Sequence, residues 1–294
     1  MTVIGFMNCS GSAGKTTSAV SGATIFAHEG YTVRVIDADP QANASRQLGY
    51  PQPEGPTIAD VLKGTASIAE AERPARLPAF INDDGLPEFE DEERFIDNLT
   101  IVPAHGPSLE DFRIGGEATR RFGKLRDAVK AASDVDITFI DGPGGFDAMT
   151  IQVILATQAF PHRSGLSGVI AVTFPGAKEV EGILQVETRL SEINSDFTAT
   201  VQLRGIIICN VKRNTPHLEQ LYVDDVRARF GDLVAPLVYY NSAVPQAYHN
   251  YMPAPLFASN ADHRRITDEY RAVFVDHFVK TGVFPEAAGA RAAL

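Results

Sequence analysis

The chain has 294 residues, of which 44% are hydrophobic and 21% are charged. This balance is typical of a globular protein, and no stretch approaches the roughly 18 consecutive apolar residues that a membrane span requires. The net charge of −11 argues against permanent, indiscriminate binding of nucleic acid. The two cysteines cannot form a disulfide framework, and they suit a reducing, cytoplasmic location.

Strand-like and helix-like segments alternate along the chain. The predicted elements, in chain order, are a strand at 3–7, a helix to about 28, strands at 32–36 and 99–102, a helix at 116–132, strands at 137–140 and 167–174, a helix at 178–193, a strand at 201–209, and helices at 217–230 and 262–280. The strands lack polar alternation, which is typical of parallel strands covered on both faces. Right-handed crossovers then predict a doubly wound α/β fold, with a mostly parallel sheet and helices on both faces.

One segment departs from this alternation. Residues 76–97 are rich in acidic side chains and contain Pro78, Gly85 and Pro87. Like charges and prolines resist packing, so we predict an acidic, mobile surface insertion, with a partner-docking segment as the alternative. The chain otherwise reads as a single domain over 1–283, followed by a flexible, alanine-rich tail at 284–294.

A loop of small residues follows the first predicted strand and opens the first helix. The residues that would wrap closely round a polyphosphate are Gly11, Ser12, Ala13 and Gly14. The helix N-terminus adds the positive end of its dipole. Lys15 would reach the β- and γ-phosphates, and the hydroxyl of Thr16 would ligate Mg²⁺. The loop therefore predicts binding of a nucleoside triphosphate with Mg²⁺.

Two further strands are followed by aspartates, where open parallel sheets bind their ligands. Asp39 could order a water or a metal-bound water, although the Asp39-Pro40 sequence is also an ordinary turn former. Asp141 ends an apolar strand, as a Walker B carboxylate must to approach Mg²⁺, and the glycine-rich residues 142–145 could move with the γ-phosphate. The predicted catalytic residues are Lys15, Asp39 and Asp141. The predicted metal-binding residues are Thr16, Asp39 and Asp141.

These elements resemble those of the ParA-type partition ATPases, within the ParA/MinD group of deviant P-loop proteins and their SIMIBI-like P-loop NTPase fold. The resemblance is carried by 11–17, by Asp-Ala-Asp-Pro-Gln at 37–41 and by Asp-Gly-Pro at 141–143, and 57–64 is similar to the segment after the family's second strand. It covers about 2–280, apart from the acidic insertion.

The resemblance implies a homodimer that forms with ATP and Mg²⁺ bound and separates on hydrolysis. The ATP-bound dimer would bind DNA non-specifically, and a ParB-like centromere-binding protein would stimulate hydrolysis. The implied role is segregation of plasmid, phage or chromosomal DNA in the cytoplasm, in association with the nucleoid.

The resemblance also implies roles for single residues. Thr17 would contact the α-phosphate, Asn210 would contact the base, and Pro245 would lie in the loop beside the adenine. An asparagine that merely ends a strand is the alternative for Asn210. The DNA-binding candidates are Lys212, Arg213, Arg264 and Arg265, and ordinary solvated side chains are the alternative for them.

One position departs from the family pattern, because Ser10 stands where the family has a lysine that reaches the partner's nucleotide. A serine cannot carry that charge to a phosphate, so we expect slow ATP hydrolysis unless another cation replaces the lysine. The candidates for that cation are Lys178, Lys212 and Arg213.

Two other functions stay open from the sequence. Ser10 would suit a nucleotide-binding switch or scaffold with little hydrolysis, and an ATP-dependent metabolic ligase could use the same fold. We expect no membrane partner, because residues 284–294 do not form a basic amphipathic helix.

Overall fold

The computed structural model describes residues 1–8, 14–89, 94–116, 118, 122–158, 166–257 and 259–286. The strands in these ranges are β1 (Thr2–Met7), β2 (Val33–Asp37), β3 (Arg73–Leu77), β4 (Phe80–Ile81), β5 (Pro87–Glu88), β6 (Arg94–Val102), β7 (Ile137–Asp141), β8 (Gly168–Thr173) and β9 (Leu203–Ile208).

The helices of the first half are α1 (Lys15–His28), α2 (Asn43–Gln47), α3 (Ile58–Lys63), α4 (Ile68–Ala71), α5 (Gly106–Ile114) and α6 (Lys124–Ala131). Those of the second half are α7 (Ala148–Ala156), α8 (Ala177–Phe197), α9 (His217–Phe230), α10 (Ala243–His249) and α11 (Ala261–Arg271), which continues as a π-helix over Ala272–Val279. Among the helices described, none is both long and apolar enough to cross a membrane.

Seven strands form one sheet in the order β3-β6-β2-β7-β1-β8-β9. Every pairing in it is parallel except that of β3 with β6. Alternate residues of β1 enter two different cores, Ile4 and Phe6 on one face and Val3 and Met7 on the other. Helices therefore cover both faces, and the predicted doubly wound, mostly parallel α/β fold is confirmed.

The register of the central strands brings their carboxyl ends together. β7 lies between β1 and β2, with Asp141 opposite both Phe6 and Asp37. The segments that follow these three strands consequently meet at one edge of the sheet, which is where open parallel sheets bind ligands.

Residues 76–97, predicted to be a mobile insertion, contain strands in their described part. Arg76 pairs with Phe95 across β3 and β6, and β4 and β5 form a small antiparallel hairpin. The guanidinium of Arg76 lies 4.6 Å from the ring centre of Tyr50 and 4.2 Å from that of Phe89. These cation–π contacts stabilise an acidic segment that its composition alone predicts to be unpacked. Residues 90–93 lie outside the described ranges.

The C-terminal end of the chain closes an aromatic core against α1. Phe284 is 1% exposed, and its ring centre lies 4.6 Å from that of Phe26. The hydroxyl of Tyr31 donates to the carbonyl of Pro285 at 2.8 Å. The boundary predicted between the domain and a flexible tail at 284 is therefore placed too early, because the apolar Phe284 packs into the domain. Residues 287–294 lie outside the described ranges.

Candidate nucleotide-binding site

A cavity of about 870 Å³, here called the phosphate cavity after the residues predicted to bind phosphate there, opens where the segments after β1, β2, β6 and β7 meet. Of the residues predicted to bind nucleotide or metal, it is lined by Gly14, Lys15, Thr16, Thr17 and Asp39. The structure thus brings together side chains that the sequence places after two different strands. The predicted residues Gly11, Ser12 and Ala13, like Ser10, lie outside the described residues.

Thr16 and Asp141 form the centre of this site. The Oγ1 of Thr16 donates to Oδ2 of Asp141 at 2.6 Å. The other carboxylate oxygen of Asp141 is buried and has no hydrogen-bond partner among the described residues. A hydroxyl beside a carboxylate with a spare oxygen suits Mg²⁺, which takes oxygen ligands from one or two side chains together with phosphate and water. The residues present therefore fit the predicted metal.

The carboxylates of this site lie in a dry and negatively charged environment. Burial raises the pKa of Asp141, and the nearby charge of Asp37 raises it further, while the Thr16 hydroxyl and Lys15 act in the opposite direction. Burial also raises the pKa of Asp37, an effect that hydrogen bonds from Ser45 partly offset. A divalent cation would neutralise this excess of negative charge.

Asp37 shapes the loop that carries Asp39. Its Oδ2 accepts from the backbone N–H and the hydroxyl of Ser45, both at 2.7 Å. Its Oδ1 accepts from the backbone N–H of Asp39 at 3.2 Å. No separate role was predicted for Asp37 from the sequence. Its position two residues before Asp39, in Asp-Ala-Asp, is the feature that could have marked it as part of the site.

Asp39 itself faces the cavity. One of its carboxylate oxygens accepts from the backbone N–H of Gln41 at 2.9 Å. Burial raises the pKa of Asp39, and the charge of Asp147 acts in the same direction, while Lys15 and Arg113 lower it. Asp39 therefore lies within electrostatic range of both cations, Lys15 and Arg113.

A second cavity, of about 300 Å³, shares Gly14 and Thr17 with the first. It is lined by Asn210 and Pro245, the two residues predicted to contact the base. Its wall also includes four aromatic residues, Phe174, Tyr239, Tyr240 and Tyr270. Flat apolar surfaces with a few polar groups are typical of sites that bind a planar ring. The structure therefore brings the predicted base-contacting residues to the same end of α1 as the predicted phosphate-binding residues.

The predicted DNA-binding residues lie elsewhere, and three of them are paired with acids. Lys212 contacts Glu219 at 3.2 Å, and Arg213 contacts Glu269 at 2.8 Å. Arg265 contacts Asp262 at 2.9 Å, and Arg264 is exposed. Lys178, Lys212 and Arg213 were the candidates to replace the lysine that is missing at position 10. The described residues that line the phosphate cavity include none of the three.

Sequence reasoning missed one cation of the cavity, Arg113 on α5. Its Nη1 donates to Asp147 at 3.1 Å, and its Nε and Nη2 donate to the two carboxylate oxygens of Glu110 at 2.7 and 2.6 Å. Pro107 in the first turn of α5 was a signal for the start of this helix. No local motif marks Arg113, because it reaches the cavity only through the packing of α5.

Comparison with known proteins decides the family. The model of the CobQ/CobB/MinD/ParA nucleotide binding domain matches residues 4–254. This chain belongs to that family. The predicted resemblance to the ParA/MinD group is thereby confirmed, while the consequence of Ser10 stays a prediction.

Individual relatives agree with this assignment. The chromosome partitioning protein ParA of Caulobacter vibrioides is 28% identical over 252 residues, which cover 83% of this chain and 80% of ParA. A putative plasmid partition protein of Borrelia burgdorferi bound to AMPPNP superposes with a TM-score of 0.70 at 16% identity, over 95% of this chain and 99% of that one.

The cobyrinic acid a,c-diamide synthase of Mycobacterium smegmatis, bound to an ATP analogue and magnesium, superposes with a TM-score of 0.67 at 21% identity, over 92% of this chain and 91% of that one. At these identities, the two structural likenesses establish a shared fold.

Proposed function

We propose that this protein is a ParA-type ATPase that binds Mg-ATP, dimerises when nucleotide is bound and acts in DNA partitioning. The observation that carries the proposal is the meeting of Lys15, Thr16 and Asp39 in one cavity, with Thr16 hydrogen-bonded to the buried Asp141 behind it. The similarity to the partitioning protein ParA supports partitioning as the role.

Each side chain has a place in ATP hydrolysis. Lys15 would bind the β- and γ-phosphates, and Thr16 and Asp141 would hold Mg²⁺, which would supply positive charge beside the phosphate oxygens. Asp39 orients a water molecule for attack on the terminal phosphorus. The new bond forms between the water oxygen and phosphorus while the bond from phosphorus to the bridging oxygen breaks. The proton that the water loses passes to the released phosphate, and ADP and phosphate leave. Thr17, which lines both cavities, contacts the α-phosphate, and Asn210 and Pro245 line the part of the site that takes the nucleoside.

The proposed partners are a second copy of this chain, a ParB-like centromere-binding protein and non-specific DNA in the ATP-bound state. The proposed location is the cytoplasm, in association with the nucleoid. Since Lys212, Arg213 and Arg265 are paired with acids, DNA binding by these residues would require the phosphates to displace those acids, and it should weaken steeply as salt concentration rises.

The test is steady-state ATP hydrolysis with Mg²⁺, with and without non-specific DNA. We expect turnover that DNA stimulates and that Lys15→Ala abolishes, because the buried lysine contacts the transferred phosphoryl group. Lys130→Ala, at an exposed position of α6, should behave as wild type and serves as the matched control. Turnover that persists in Lys15→Ala would contradict the assignment of the site.

Two other outcomes would favour different functions. Tight ATP binding without turnover would favour a nucleotide-dependent switch or scaffold, for which the serine at position 10 is the supporting observation. Stimulation by a small carboxylic acid or amine instead of DNA would favour an ATP-dependent ligase, which the shared fold with the cobyrinic acid a,c-diamide synthase supports.

A further inference from the structure

The phosphate cavity holds more acid than base. Among the described residues that line it, the cations are Lys15 and Arg113, whereas the acids are Asp39, Glu110 and Asp147. A nucleoside triphosphate brings several further negative charges, and some of them lie on the terminal phosphate, the group that is transferred. Lys15 and Arg113 are therefore the cationic side chains of this wall, among the described residues, that can stabilise the charge of the terminal phosphate.

Arg113 is the second of these cations, and it is tied to two acids that lie on different elements. Glu110 is on its own helix, α5, and forms a bidentate pair with Nε and Nη2. Asp147 precedes α7, and its Oδ1 accepts from the backbone N–H groups of Met149 and Thr150 while its Oδ2 binds Arg113. Asp147 also ends the segment that follows Asp141, so Arg113 contacts the part of the site that comes after the metal ligand.

These ion pairs do not bury the guanidinium. The side chains of Arg113, Glu110 and Asp147 are 36%, 35% and 32% exposed respectively. Ion pairs with this much exposure to water contribute little to the stability of the fold, because solvent screens the two charges. A phosphate group offers a higher charge and a geometry that accepts two parallel N–H donors from a guanidinium, so it competes well with a carboxylate.

We propose that Arg113 binds the terminal phosphate of a nucleoside triphosphate in its own chain, and that Glu110 and Asp147 hold it at the cavity wall until nucleotide enters. Arg113 then discriminates a triphosphate from a diphosphate and stabilises the charge that develops on the transferred phosphoryl group. It would supply in cis a cation that Lys178, Lys212 and Arg213 do not bring to this cavity. This inference rests on the proposed binding of Mg-ATP.

The first experiment measures the affinities of the full chain for Mg-ADP and Mg-ATPγS by calorimetry. Arg113→Gln should leave the Mg-ADP affinity within about twofold and lower the preference for Mg-ATPγS by roughly 10- to 100-fold, as expected for a hydrogen-bonded charge pair. Arg113→Lys should be intermediate, because it keeps the charge and loses the fork of donors. Arg126→Gln is the matched control, since Arg126 is also 36% exposed and paired with an acid, Asp127.

The second experiment separates phosphate binding from a purely structural tie between α5 and α7. Glu110→Gln should raise the preference for Mg-ATPγS severalfold, because it frees Arg113, and at least half of this gain should disappear in the Arg113→Gln background. If Arg113 only held α5 and the start of α7 together, Glu110→Gln would lower the preference for Mg-ATPγS over Mg-ADP or leave it unchanged. An equal gain in both backgrounds would show that Glu110 acts by its charge alone, and it would also overturn the proposal.

The outcomes for the two proposals differ. If wild type binds neither Mg-ADP nor Mg-ATPγS, the proposed function fails, and the inference fails with it. If wild type binds both and Arg113→Gln keeps the wild-type preference and the wild-type thermal unfolding, the inference fails while the proposed function stands.

Discussion

Asp141 is buried beside Asp37, and one of its carboxylate oxygens has no hydrogen-bond partner among the described residues. Its pKa is raised to about 8, chiefly by burial. A carboxyl whose pKa is higher in the folded than in the unfolded state destabilises the fold as pH rises from about 4 towards the folded value. The predicted metal ligand Asp141 is thus a source of instability in the nucleotide-free protein.

We therefore predict that Asp141→Asn stabilises the nucleotide-free protein while it removes Mg²⁺-dependent nucleotide binding. The gain in the free energy of unfolding should be at least about 1 kcal/mol at pH 8 and clearly smaller at pH 5, because the wild-type penalty grows over that interval. Urea unfolding at the two pH values measures it. A variant less stable than wild type at pH 8 would contradict the prediction.

At the residue scale, the part of the site that follows a local motif could be predicted from the sequence. Lys15, Thr16 and Asp141 each stand at a fixed place in a strand-loop-helix or strand-loop segment, and backbone geometry alone positions them. Arg113 and Asp147 could not be found in this way, because their meeting depends on how α5 packs beside the start of α7.

At the scale of elements, α1 and the π-helix approach each other closely at a glycine. A Cβ added at Gly22 would lie 2.5 Å from the ring of Phe274, and one added at Gly205 on β9 would lie 2.4 Å from the ring of Phe278. The sequence predicts a continuous helix over 262–280, and the structure instead changes to π geometry at Ala272. The wider turn presents both rings to glycines on two different elements.

Gly22→Ala should consequently destabilise the protein by about 1–3 kcal/mol, despite the better helix propensity of alanine, because the core has no space for the methyl group. Urea denaturation measures the change. Phe274→Leu provides the control, since in its background the same alanine should cost less than in wild type. A neutral or stabilising Gly22→Ala would show that the helices can move apart.

The elements that the sequence did not predict are short or lack an amphipathic period. α2 has 5 residues and α4 has 4, too few for a helical period to be visible. α7 is almost entirely buried, so its apolar residues mark no single face. The parallel strands were predictable for the opposite reason, since burial on both faces gives uninterrupted apolar runs.

At the scale of the whole molecule, residues near the end of the described chain complete the core that begins at β1. Phe284 lies among the rings of Phe26, Phe139 and Phe274, with ring centres 4.6, 5.6 and 6.2 Å away respectively. The boundary at 284 could not be predicted, because a single aromatic residue before an alanine-rich segment carries no periodicity. Only the tertiary structure shows the pocket that receives it.

Phe284→Ala should lower the free energy of unfolding by about 3–5 kcal/mol, the range for removing a buried aromatic ring. Phe80→Ala is the control, because Phe80 is 54% exposed and its removal should leave stability nearly unchanged. Thermal and urea unfolding of both variants give the comparison. Equal effects would mean that the ring of Phe284 contributes no more than a surface side chain.

The contact between Tyr31 and Pro285 joins positions separated by 254 residues in the chain. During synthesis on the ribosome, β1 and α1 emerge well before the aromatic rings that cover them. Part of the apolar surface of β1 and α1 therefore stays exposed to solvent until translation reaches the π-helix and Phe284. Apolar surface that stays exposed in this way makes a nascent chain prone to aggregation, which is the hazard that chaperones counter.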